Sequence, residues 1–126
     1  MSDPQRNRAA FLDFVDLFYT QRNPKAALEK YVAEDYIQHN PALAQGRAAA
    51  IEFLTLLFSK PQARFTIKRM LVDGELAVVH VHGQPDPAQK GVAVADFYRF
   101  AEGKIVEHWD VIQPITDAAV NPLAFF

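Results

Sequence analysis

Near Pro61 the spacing of apolar residues changes, and that change leaves the chain few possible architectures. Before it, apolar side chains recur every three to four residues; after it they alternate. The first pattern suits one face of a helix and the second one face of a strand. Residues 4–22 are therefore expected to be helical, with Asp3 as N-cap, Pro4 in the first turn and Phe11, Phe14, Val15, Phe18 and Tyr19 as the buried stripe. Pro24 opens a second helix, "PKAALEKYV", whose buried face is Ala27, Leu28, Tyr31 and Val32. A short extended piece, "DYIQHNP", follows, and residues 46–58 form a third helix. Beyond it, strands are expected at 64–72, 76–84, 92–101 and 104–115, paired as hairpins at Asp73-Gly74 and Glu102-Gly103. The tail "TDAAVNPLAFF" ends in two phenylalanines that need a docking surface.

Helices first and strands after define an α+β class. The expected architecture is one domain, residues 1–126, with three N-terminal helices covering a curved, cone-shaped antiparallel sheet. Half of the residues are hydrophobic and ten are Phe, enough for a core at this length. A curved sheet under a helical cover also leaves a cavity suited to an apolar small molecule. The formal charge is −2 with no basic stripe, which argues against a nucleic-acid partner. The absence of cysteine excludes disulfides, thiolate metal sites and a Cys nucleophile. No apolar run reaches membrane-spanning length and the N-terminus has no apolar signal core, so a cytoplasmic protein without membrane association is expected. No Gly-rich loop or arginine cluster marks a phosphate or nucleotide, and no cofactor is expected.

Polar side chains interrupt these strands where apolar ones are expected. "EHWDVIQ" puts His108 and Asp110 two residues apart, hence on one face. Asp96 interrupts "VAVADFYRF", His80 and His82 alternate in "VVHVH", and His39 and Asn40 end the short extended piece. The turn "AEGK" suits a three-residue loop with Gly103 in the left-handed conformation. That register sets Asp96 opposite His108 and Val94 opposite Asp110, all sharing a face with Tyr98. A two-residue loop would instead set Asp96 opposite Trp109. Two carboxylates in one apolar cavity are expected to differ in proton affinity, one serving as base while the other stays protonated and donates. That is the chemistry of proton abstraction beside a carbonyl, with a neighbouring His to orient an acid or meet an enolate oxygen. His80 and His82 could chelate a metal only with a third ligand from Asp96, Asp110 or His108; no metal is expected.

"YIQHNP", the "G-R-x-A-x-x-x-F" helix and "VADFYRFAEGKIVEHWDVIQ" together resemble the SnoaL-like polyketide cyclases of the nuclear-transport-factor-2-like superfamily, over roughly residues 8–116. The resemblance implies the α+β cone, a homodimer through the outer face of the sheet, and an intramolecular aldol condensation without cofactor. It matches Asp110 to the cyclases' acid/base aspartate. At Asp96 those cyclases carry a histidine, so the chemistry is expected to differ in detail. His39 and Asn40 match a polar segment at the cavity mouth. Limonene epoxide hydrolase is similar at Asp96, Asp110 and Asn40 but has arginine in place of Val94 and tyrosine in place of Gln38. Ketosteroid isomerase places its base near His39–Asn40, where this chain has no carboxylate. The expectation is a cofactor-independent lyase or isomerase acting on a small carbonyl compound. Asp110 is its acid/base, Asp96 and His108 adjust it, and His39, Asn40, His80 and Tyr98 bind substrate. The alternatives are a non-catalytic binding protein and an epoxide hydrolase.

Overall fold

A computed structural model of the chain describes residues 3–126. Helix α1 spans Pro4–Val15, with the Asp3 carboxylate accepting from the backbone N–H groups of Gln5 and Arg6. It runs on as one π-helical turn, Asp16–Thr20. Helix α2 is Pro24–Tyr31, capped by the Asn23 side chain. Strand β1 is Val32–Gln38 and helix α3 is Arg47–Leu57. The remaining strands are β2 Arg64–Asp73, β3 Leu76–Gln84, β4 Val92–Ala101 and β5 Lys104–Pro114. The helical stripe is as expected: Phe11, Phe14, Val15, Phe18 and Tyr19 are all buried. They pack on Ala77, Val79, Val81, Tyr98, Phe100 and Ile105 from the sheet. Tyr31 is half-buried: it packs against the edge of the core and donates its hydroxyl to Asp13.

The five strands form one curved sheet in the order β1-β5-β4-β3-β2. The sheet is mixed rather than purely antiparallel, because β1 lies parallel to β5 and covers that strand's free edge. β1 thereby sets Gln38 beside His108. β1 is the piece read from sequence only as a short extended segment.

The β4–β5 register corrects the expected one. Ala101 pairs with Lys104, leaving a two-residue loop. Both loop residues have positive φ, 55° at Glu102 and 77° at Gly103, as a type I′ turn requires. Phe100 then pairs with Ile105 but Arg99 with Glu107, so Val106 is an extra residue, a β-bulge. Beyond it Asp96 lies opposite Asp110, Tyr98 opposite His108 and Phe97 opposite Trp109. Val94 meets Ile112, not Asp110. The bulge also changes parity. Ile105 on one side of it and His108, Asp110 and Ile112 on the other all reach the same cavity. Asp96, Tyr98, His108 and Asp110 thus share a face, as expected, through a different turn.

Candidate active site

Between the helices and the sheet lies a cavity of about 700 Å³. Its wall is mostly apolar, with Phe14, Phe18, Leu54, Phe58, Val81 and Val94 among the contributors, and its described lining includes no lysine or arginine. Polar side chains enter from β1, β4 and β5 and from the residues just after β1. They form one hydrogen-bonded cluster.

The cluster is built around Gln38. Its Oε1 accepts from the backbone N–H of His39 and of Asn40, each at 2.9 Å. Two N–H donors identify that atom as the carbonyl oxygen. His108 Nδ1, 2.8 Å from the same oxygen, must therefore carry a proton and donate it. His108 Nε2 faces Asp96 Oδ1 at 2.9 Å. One proton lies between them, either as imidazolium and carboxylate or as imidazole and carboxylic acid. The other Asp96 oxygen, Oδ2, accepts from the Tyr19 hydroxyl at 2.6 Å. With its hydrogen so used, Tyr19 accepts from Tyr98, 2.6 Å away. Burial, and then the Asp96 charge, push both phenols well above the ordinary tyrosine range. They act as donors, not as bases.

Asp110 is held separately. Its Oδ2 accepts from Asn40 Nδ2 at 2.6 Å, and Asn40 Oδ1 accepts from the backbone N–H of Ala42 at 2.8 Å, which fixes the amide's orientation. Oδ1 of Asp110 has no hydrogen-bond partner among the described residues. Two like charges directly opposite on a sheet repel. The proton held by the Asp96–His108 pair relieves that repulsion. Possible ligating atoms of Asp96, His108 and Asp110 lie within 4.8 Å of one another, a set able to hold a divalent cation.

The structure gathers Asp96, His108, Asp110, Asn40 and Tyr98 on the cavity but not His39 or His80. Strand alternation is the reason. Tyr36, Gln38 and Asn40 face in, so His39 faces out, where it stacks on Trp109 with ring centroids 5.1 Å apart and bonds Glu107 at 2.7 Å. On β3 the buried positions are Ala77, Val79 and Val81, so His80 and His82 face out. Both rings pack against Phe126, which gives the terminal aromatic its docking surface. Arg69 bonds His80 Nδ1, and burial together with the Arg69 and Lys68 cations pulls that imidazole below its ordinary range. Neither histidine can join a cavity metal site. Tyr19, read from sequence as core, reaches the cluster from the π-helical turn; Gln38 and Tyr36 were also missed. The parity of Asn40 would have found both.

A model of the SnoaL-like domain matches residues 4–108. The chain belongs to the SnoaL-like family. No curated protein sequence matches it. Solved structures with the same fold include a proposed ketosteroid isomerase from Kribbella flavida, 20% identical, with 96% of this chain and 87% of that one covered and a TM-score of 0.73. An NTF2-like protein from Mesorhizobium loti is 22% identical over 90% of this chain and 96% of its own, with a TM-score of 0.69. A proposed polyketide cyclase from Acidithiobacillus ferrooxidans is 21% identical over 89% and 91%, with a TM-score of 0.64. These likenesses establish the fold.

Proposed function

We propose that this SnoaL-like protein is a cofactor-independent acid/base enzyme acting on a small, neutral, largely apolar carbonyl compound. The observation that carries the reading is the pairing of Asp110, with its free Oδ1, and the proton-holding Asp96–His108 pair on one apolar cavity. Asp110 removes a proton from the carbon beside the carbonyl. The C–H electrons become the C=C bond of an enolate, and the carbonyl oxygen takes the charge. Returning the proton to another carbon gives an isomerisation; attack of the enolate carbon on a second carbonyl gives an aldol product. Asn40 orients Asp110, and the Asp96–His108 pair keeps a second proton within the cluster. The lack of lysine and arginine in the described lining favours a neutral substrate over a carboxylate or phosphate. Epoxide opening is less well supported, because Val94 lines the cavity where that chemistry would use an arginine.

The same reading includes a cytoplasmic homodimer. Leu71, Val78, Phe97 and Trp109 are consecutive cross-strand neighbours on the outer face, an apolar row that a second copy would cover. The catalytic proposal is tested by exchange of α-protons into D₂O for a panel of neutral aryl and alkyl ketones, followed by proton NMR. Acceleration for neutral ketones, absent with heat-denatured protein, is expected. No acceleration for any ketone that binds would contradict the proposal.

A further inference from the structure

Tyr36 stands on β1 with its side chain only 5% exposed and on the cavity wall. Its phenol oxygen accepts a hydrogen bond from Gln38 Nε2 at 2.9 Å. The Gln38 amide cannot turn over, because its Oε1 already receives the N–H of His39, the N–H of Asn40 and His108 Nδ1–H. The Gln38 backbone is pinned as well. Its N–H donates to Gln45 Oε1 at 2.9 Å, and its carbonyl accepts from Gln45 Nε2 at 2.7 Å. Nε2 is therefore a fixed donor, and Tyr36 is its acceptor. The hydroxyl hydrogen of Tyr36 is left with no acceptor among the described residues. The other two cavity phenols differ, since Tyr98 donates to Tyr19 and Tyr19 to Asp96. Burial holds the Tyr36 phenol above its ordinary range, so it remains a donor. Buried donors are rarely left unused, and one on a cavity wall is available to whatever the cavity holds.

We propose that Tyr36 is a catalytic residue that hydrogen-bonds the substrate's carbonyl oxygen, and that Gln38 is the positioning residue that turns the Tyr36 hydrogen toward the cavity. This rests on reading the cavity as a carbonyl site. No proton leaves Tyr36: its O–H bond stays intact, polarises C=O and meets the charge that grows on oxygen as Asp110 takes the α-proton. The donor is in place before reaction, so it need not reorganise in the transition state.

The test uses 2-acetylnaphthalene, an uncharged aryl ketone labelled with ¹³C at the carbonyl, read by its infrared C=O band and by binding titration. Bound to the wild type, the band should move to lower frequency than in an aprotic solvent. Tyr36→Phe should abolish the shift and weaken binding about three- to tenfold, the effect of one net hydrogen bond. Tyr98→Phe should leave the shift in place. Gln38→Glu is the decisive variant. Its carboxylate keeps the shape and still accepts from His108 and the two backbone groups, but it takes the Tyr36 hydrogen. The shift should vanish with Tyr36 still present, a result that loss of packing alone would not give. If Gln38→Glu does not fold, Gln38→Leu replaces it: the phenol loses its direction and the band should split into shifted and unshifted components. A wild-type band without shift, or a full shift retained in Tyr36→Phe or in the folded Gln38 variant, would overturn the proposal while leaving the carbonyl-site reading standing. Failure of the ketone to bind the wild type would overturn both.

Discussion

His108 sits between a carbonyl oxygen at Nδ1 and a carboxylate at Nε2, and those neighbours dictate its protons. A long-range ¹H–¹⁵N spectrum should show Nδ1 of His108 protonated. Gln38→Leu removes its acceptor, and the ring should then move toward the Nε2–H form bonded to Asp96. An unprotonated Nδ1 in the wild type would contradict the arrangement. The phenols supply a second residue-scale expectation. All four tyrosines are held above their ordinary range, Tyr19, Tyr31, Tyr36 and Tyr98, each with burial as the largest cause. An acid whose pKa is raised by folding stabilises the fold below its unfolded pKa, here about 10. That contribution disappears as pH rises through the folded values. Ultraviolet titration should show little phenolate at about pH 10, then a steep rise coincident with loss of the circular dichroism signal; four normal ionisations before unfolding would contradict it. The site residues were legible unevenly, for a definite reason. His39 and Asn40 are adjacent, so a strand cannot send both to one cavity. Asn40 reached the cavity, and the same parity brought Gln38 and Tyr36 with it.

Among the elements, the helices and strands follow from periodicity almost without loss, because each period reflects a buried face formed within its own segment. Register does not follow so readily. It depends on where an extra residue is accommodated, and nothing in "KIVEHWD" marks Val106 as the bulge. The expected turn and the observed one, bulge included, send Asp96 and Asp110 to the same face because their registers differ by an even step of two. Val106 has to be absorbed as a bulge, because paired regularly it would set Asp96 opposite Trp109. Deleting Val106 removes the extra residue itself, so the I′ turn and the pairing of Asp96 with Asp110 and of Tyr98 with His108 should both survive. Expected is a folded chain that still binds the ketone, by circular dichroism and titration. Loss of binding in a folded deletion would contradict this register. The π-helical turn at Asp16–Thr20 carries Tyr19 to the cluster, an irregularity at a functional position with no counterpart in the apolar spacing.

On the scale of the whole molecule, one sheet has two different faces. The inner face carries the cavity; the outer one carries Leu71, Phe97 and Val111 exposed, with Phe126 laid over His80 and His82. Multi-angle light scattering at micromolar concentration should give twice the chain mass, and charged substitution of Phe97 should shift it toward the monomer. A monomeric wild type would contradict the proposed dimer. The proposed function makes Asp110 the base of a proton-abstracting cavity. Asp110→Asn keeps the shape and removes the base, and the measurement that tests it most directly is α-proton exchange of a bound neutral ketone, taken with its affinity, in wild type and in this variant. Exchange should fall by about 10²–10⁴-fold in the variant, the contribution of a positioned acid or base, with affinity nearly unchanged. Equal exchange in the two proteins at equal affinity would contradict it.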